Sequence, residues 1–298
     1  MTAPRQVLAG KTYLITRRCS RREFLLRPSA RTNAILLYVL AIAARRFCIQ
    51  VHAFAVLSNH LHLVVTDPGA RLPAFEQYLG ALVARAVNAS LGRCESFWAP
   101  GSYSAVVLVS PEDVVAKVAY VLANPVAAGL VRRGRDWPGL WTAPECLGAM
   151  TLSERRPSTF FRSKGYLPDQ AELALTVPPG FVSSEDFRVR VESALDDLEK
   201  CARRERASDG RPFLGASKVL AQRPCARPAR GEPWRQLNPR VAARDKWKRI
   251  EALSRLVEFL RAYRAAWTAM RAGVLDTLFP AGTYLLRVTH GVRCAEPA

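Results

Sequence analysis

Long uncharged apolar runs are missing from this chain of 298 residues: charge or proline breaks each one well short of the ~20 residues a membrane-spanning helix needs. No membrane partner is therefore expected. The stretch Met1-Thr2-Ala3-Pro4-Arg5-Gln6 leads straight into a strand-like segment without the apolar core of a secretory signal, so the expected compartment is the cytoplasm. Paired cysteines are missing too. The seven, Cys19, Cys48, Cys94, Cys146, Cys201, Cys225 and Cys294, are dispersed with none at C-x-x-C spacing, which argues against a disulfide framework or a zinc knuckle and fits reduced thiols. Acidic residues are scarce beside basic ones, 25 against 44, leaving a net charge of +19. Such an excess implies a polyanionic partner, and nucleic acid fits better than an anionic membrane because no basic cluster flanks an apolar span. What is plentiful is apolar side chain, 49% of residues, ample for packed cores in a chain long enough for two domains. No internal repeat is visible.

Lys11 to Arg17 alternates polar with β-branched and aromatic residues and reads as a strand running into a basic turn, Arg17-Arg18-Cys19-Ser20-Arg21-Arg22. Thr32 to Arg46 has helical periodicity and ends in two arginines, which suit a helix carboxyl end. Two strands come next, Ile49 to Leu57 and His60 to Thr66, separated only by Ser58-Asn59, so an antiparallel hairpin is expected. Ala70 to Leu91 reads as a second helix closed by Gly92, and Ser102 to Val109 as another strand. This order, β-α-β-β-α-β, predicts an α+β fold with a ferredoxin-like antiparallel sheet and helices on one face.

The next helix is the best marked in the chain. Ser110 caps it, Pro111 sits where a missing N–H costs nothing, and Asp113 completes a capping box. Val114, Val115, Val118, Val121 and Leu122 form its apolar stripe, which lines up Asp113, Lys117, Tyr120 and Asn124 on another face. Because Pro125 disfavours the α conformation at Asn124, the helix is expected to end there or one residue earlier. Near 148 to 152 the chain changes character, and a boundary is expected between a first domain, 1–148, and a basic, mainly helical extension, 149–298. Within the extension, Gly210 to Pro233 reads as irregular, Val241 to Arg271 as a long helix with Trp247, Ile250, Leu253, Val257 and Leu260 on one side, and Gly282 to Thr289 as a weak strand.

Histidine is the scarcest informative residue: there are four, and two stand in His60-Leu61-His62. On a strand both imidazoles project to one side while Leu61, Leu63 and Val65 enter the core, so the pair can hold one metal ion or can be two ordinary histidines on a wet face. His52 and His290 have no partners at useful spacing. The segment Ser58-Asn59-His60-Leu61-His62-Leu63-Val64-Val65, together with Tyr120-Val121-Leu122-Ala123-Asn124-Pro125-Val126-Ala127-Ala128-Gly129-Leu130-Val131, resembles the signature of the HUH-type single-tyrosine transposases. The branch it resembles most is that of the REP-associated tyrosine transposases. The resemblance spans about residues 10 to 145 and includes the Arg-rich turn and Asp136-Trp137-Pro138; a basic residue that relatives often carry is replaced by Ala127.

The resemblance implies a metal-dependent endonuclease and strand transferase acting on single-stranded DNA at hairpins of REP-like repeats, as a monomer or homodimer. Tyr120 would be the nucleophile, forming a 5′-phosphotyrosine and releasing a 3′-OH. His60 and His62, with Asn124 as third ligand, would hold Mg2+ or Mn2+ to polarise the phosphate. Arg17, Arg18, Arg21 and Arg22 would contact DNA phosphates. Lys117, one turn before Tyr120, could lower the phenol pKa or meet phosphate, although a solvated lysine on a helix face is the more ordinary reading. Trp98, Tyr103, Trp137 and Trp141 offer stacking surfaces or core packing. Two other classes remain open: a domesticated hairpin-binding protein without turnover, and a phosphodiesterase that uses water as nucleophile.

Overall fold

The computed structural model describes residues 4–101, 103–229 and 239–297. Its central sheet contains β1 (Lys11–Arg18), β2 (Gln50–Leu57), β3 (His60–Asp67), β4 (Ser104–Leu108) and β7 (Val241–Ala242), in the order β2-β3-β1-β4-β7. The first four strands are antiparallel, and β7 adds in parallel to β4, so the whole sheet is mixed rather than antiparallel as expected. Ser102, the start of the expected strand, lies outside the described residues, as do 230–233 of the segment expected to be irregular. The hairpin is as expected: Leu57 faces His60 across the two-residue connection Ser58-Asn59.

Helices α1 (Ala30–Phe47) and α2 (Leu72–Leu91) cover one face of the sheet, packing on Tyr13, Ile15, Phe54, Val56, Leu61, Leu63 and Val65. The expectation of helices on one face fails on the other side, where α3 (Pro111–Ala127) packs on Leu14, Ala53, Ala55, Leu57 and Val64 and α4 (Ser184–Ser208) packs on α3. The reason lies in β2 and β3, which carry apolar residues at both parities; a sheet apolar on both faces must be covered on both. The parity of β2 changes at His52, where the register against β3 slips between Val51 and Ala53. His52 is wholly buried there, hydrogen-bonded to the Thr176 carbonyl and to Thr66 Oγ1, each at 2.8 Å.

The position expected as a domain boundary falls in a loop, and the chain beyond it contributes to both cores. A hairpin of β5 (Thr151–Arg155) and β6 (Gln170–Ala174) brings Leu173 and Leu175 to the α1 side, and Tyr38 donates to the Pro168 carbonyl at 2.6 Å. From α4, Phe187, Val191 and Leu195 join Val118, Val121 and Leu122 of α3. Beyond α4 lie α5 (Ala216–Ala221), α6 (Lys246–Arg271) and α7 (Leu285–His290). Two expectations fail in this region. The tail expected as a strand is α7, packed through Leu286 against Ala266 and Phe279. The helix expected from Val241 starts only at Lys246, because Val241–Ala242 pairs with β4 as β7; along α6 Trp247 is 74% exposed, Ile250, Leu253 and Val257 are exposed, and Phe259 and Ala266 are buried. Among the described residues, no helix is long and apolar enough to cross a membrane.

Helix α3 carries the polar row of Asp113, Lys117, Tyr120 and Asn124 and is fixed at both ends. Its capping box is present as expected, with Ser110 Oγ accepting from Asp113 N–H and the Asp113 carboxylate accepting from Ser110 N–H. A side-chain cap of this kind stabilises a helix by about 1 kcal/mol. The second carboxylate oxygen of Asp113 accepts from Arg244 N–H at 2.7 Å, tying β7 to the same end. At the other end the expectation fails, because α3 runs through Pro125 to Ala127. Burial of Pro125 and Val126 favours the extra turn, while Trp141 Nε1 donates to the nearby Leu122 carbonyl at 2.9 Å.

Candidate active site

The β1–β3 register sets Thr16 opposite His62 and Arg18 opposite His60. Strand alternation puts these side chains on the face that α3 crosses. His62 is not on a wet surface: it is 4% exposed, beneath α3, whereas His60 at the hairpin exit is half-buried. The two rings lie 4.8 Å apart between centroids, nearly perpendicular. Above them the polar row of α3 descends. Tyr120 is 43% exposed, with its ring 5.7 Å from that of His62 and inclined at 74°, and Asn124 Nδ2 lies 3.2 Å from His62 Nε2. Lys117 places Nζ 5.6 Å from the Tyr120 ring centroid. Residues far apart in sequence thus meet at one site between β3 and α3.

Two residues that sequence reasoning missed orient the imidazoles. Asn59 Oδ1 lies 2.7 Å from His60 Nδ1, which places the proton on Nδ1 and makes Nε2 the basic nitrogen. Thr16 Oγ1 lies 2.8 Å from His62 Nδ1; because Asn124 Nδ2 can only donate, the lone pair of that ring is on Nε2 and the threonine hydroxyl accepts from Nδ1. Turning the Asn124 amide over would set its carbonyl oxygen beside that nitrogen. The donor set is then two imidazole nitrogens and one amide oxygen, which fits a hard or borderline divalent cation that keeps positions for other oxygens. Among the described residues no group of three or more His, Cys, Asp or Glu gathers anywhere, so a cation here would rely on the amide and on substrate oxygen. The signal for Thr16 was available, since it occupies the parity of β1 that faces His62.

The four arginines divide. Arg18 stays on the site's face, half-buried beside His60. The turn carrying Arg21 and Arg22, both at positive φ, is stapled to the hairpin tip: Cys19 N–H donates to the Asn59 carbonyl at 2.8 Å, and Asn59 Nδ2 donates to the Arg22 carbonyl at 3.3 Å. Arg17 points the other way. Its guanidinium lies over the Trp98 ring, 4.9 Å from the centroid, bonds the Glu76 carbonyl at 3.2 Å and faces the Glu76 carboxylate at 3.9 Å. That places Arg17 under α2 rather than in the pocket, as strand alternation requires once Arg18 faces it. The aromatics are committed as well: Trp137 Nε1 donates to the Val56 carbonyl at 3.0 Å, Trp98 Nε1 to the Gly80 carbonyl at 2.8 Å, and Tyr103 is buried under Arg5.

No protein-family model matches this chain, and no curated protein matches it. Among solved structures, it is similar to a REP-associated tyrosine transposase bound to a REP hairpin, with 21% identity and a TM-score of 0.40 over 47% of this chain and 81% of that one. It is also similar to a protein from Deinococcus radiodurans R1 described as a candidate transposase, with 18% identity and a TM-score of 0.28 over 36% of this chain and 85% of that one. Both likenesses are distant, and neither assigns an activity to the pocket.

Proposed function

We propose that this protein nicks and rejoins single-stranded DNA at hairpin-bearing repeats through a 5′-phosphotyrosine on Tyr120. One observation carries the reading: a half-exposed phenol from α3 stands beside a pair of imidazoles from β3, with Lys117 next to the phenol and Arg18 opposite His60. The strand order β2-β3-β1-β4, with α1 and α2 as crossovers, fits the ferredoxin-like arrangement on which such a site is expected.

In the proposed reaction Tyr120 Oη attacks the scissile phosphorus, the phosphorus–O3′ bond breaks, and the phenolic proton ends on the departing 3′-oxygen. Reversal by a 3′-OH rejoins the strand, and no bond energy is lost in between. His60, His62 and Asn124 would hold Mg2+ or Mn2+, which when bound withdraws charge from the phosphate. Lys117 and Arg18 add positive charge against the phosphate oxygens, and Arg21 and Arg22 hold the flanking strand at the hairpin tip. Thr16 and Asn59 fix the imidazole orientation. Asn124 lies one helical turn from Tyr120, so phenol and third ligand move as one body with α3.

Incubating labelled single-stranded hairpin oligonucleotides with the protein and Mn2+ or Mg2+ tests this directly. Adducts that survive denaturation and vanish in Tyr120→Phe are expected. Cleavage without adduct would point to water as nucleophile, and hairpin binding without cleavage under either metal to a binding protein; either contradicts the proposal.

A further inference from the structure

Past the carboxyl end of α3 the chain forms an open cavity of about 430 Å3 that the proposed chemistry does not use. Arg132 from the loop after α3, Arg203 and Arg206 from the end of α4, and Arg211 just beyond line it, with Phe213 and the carboxylate of Asp136. The four guanidiniums are not equivalent. Arg203 is tied to Glu199 at 3.0 Å and Arg211 is paired with Asp209. Arg132 and Arg206 form no ion pair among the described residues; they lie instead over the ring of Phe213, at 5.9 and 5.0 Å from its centroid.

This arrangement is built rather than incidental. Arg206 donates to the Pro212 carbonyl at 2.6 Å, and its guanidinium occupies the place of a side chain at Gly129, where φ is +72° and a Cβ would collide with it. Its Nε is shielded from solvent and has no acceptor. Leu214 N–H and Gly215 N–H donate to the carbonyls of Gly129 and Leu130, each at 2.9 Å, so the loop that carries Phe213 is laced to the end of α3. Planar guanidiniums match phosphate oxygens in pairs, and an aromatic ring beside them suits a ligand that carries a base as well as a phosphate. The volume lies in the range of small-ligand pockets.

The geometry points to this cavity as a second phosphate-binding site that takes one nucleotide of a single strand, its phosphodiester between Arg132 and Arg206. Ala127, the last residue of α3, lies seven positions beyond Tyr120, about 10 Å along the helix at 1.5 Å per residue, and Gly129 follows it in the turn. That offset corresponds to a few nucleotides of strand, so the site would grip DNA outside the scissile step. The identity of the ligand as a strand rests on the proposed function; the affinity for phosphate does not.

Fluorescence-anisotropy titrations of a labelled single-stranded oligonucleotide at several salt concentrations test it, using the full chain, Arg132→Ala and Arg132→Glu. Arg132 is exposed, so neither change endangers the fold. The expected result is several-fold weaker binding in Arg132→Ala, a salt dependence shallower by about one unit of slope, and a larger loss in Arg132→Glu. Unchanged affinity and slope in both variants would overturn the proposal. Tight binding of a free nucleoside monophosphate, combined with strand binding that ignores Arg132, would assign the cavity to a free nucleotide and also overturn it. The same Arg132 dependence is expected in a Tyr120→Phe background, so failure of the nicking chemistry and failure of this site read out separately.

Discussion

At the scale of single residues, the site depends on which ring nitrogen carries a proton. Asn59 sets this for His60 through a contact of 2.7 Å, and Thr16 holds the His62 ring through a contact of 2.8 Å. Partners of this kind contribute about 10- to 100-fold to metal affinity. Thr16→Val keeps the β-branched shape in a strand and removes the hydroxyl. We therefore expect it to weaken Mn2+ binding, measured by calorimetry or electron paramagnetic resonance, by roughly tenfold without loss of folding, while Thr16→Ser stays close to the parent. Equal affinities in all three proteins would contradict the orienting role. That His60 shares a face with His62, and Tyr120 with Asn124, was legible in the sequence because strand and helix periodicities fix which side chains lie together; that the two faces meet was expected only from the resemblance. The destination of Arg17 was not, because a run of arginines read as one basic turn conceals that adjacent strand residues point to opposite faces.

At the scale of elements, the contact of β1 with α2 carries a titration. Glu76 is 1% exposed; its Oε2 lies 3.9 Å from Arg17, beyond hydrogen-bond reach, and its Oε1 has no partner. Desolvation therefore outweighs the attraction of Arg17 and pushes the Glu76 carboxyl up to about 7. A carboxyl raised in the folded state favours folding below its unfolded pKa, near 4.5, and that contribution is lost as pH rises through about 7. Glu76→Gln removes the effect. Relative to the parent, its unfolding free energy from denaturant titrations should rise between pH 4.5 and about 7 by an amount on the order of a few kcal/mol, then level off. A difference that stays flat over this window would contradict the buried-carboxyl account. His52 acts in the opposite sense: burial pushes it down to about 4, so its contribution is present above pH 6.5 and lost as pH falls toward 4. Among elements, α1, α2, the hairpin and the start of α3 were legible because caps and periodicity are local signals. The end of α3 and the strand-like tail were not, because burial at Pro125, Val126 and Leu286 overrode local preference.

At the scale of the molecule, the chain beyond residue 148 is part of the packing that holds the site. Leu173 and Leu175 complete the core on the α1 side, and Phe187, Val191 and Leu195 cover α3 from the side opposite the sheet. Losing several buried side chains of this size at once, at roughly 1.5–3 kcal/mol each, costs about as much as the 5–15 kcal/mol that stabilises a typical domain, and it leaves apolar surface bare as well. A protein truncated after residue 148 is expected to lack a cooperative thermal transition and to expose apolar surface to a fluorescent dye. A sharp transition close to that of the full chain would contradict this. Composition alone suggested a boundary there, since a shift toward Pro and Arg is visible in sequence while the return of apolar residues to an earlier core is a tertiary fact.

The central claim is that Tyr120 becomes joined to DNA. Digesting the protein–oligonucleotide adduct with trypsin and nuclease and sequencing the peptides by mass spectrometry tests it most directly. The expected result is a 5′-linked nucleotide on Tyr120 within the peptide spanning 118–132; a nucleotide on any other residue, or cleaved DNA with no modified peptide, would contradict it.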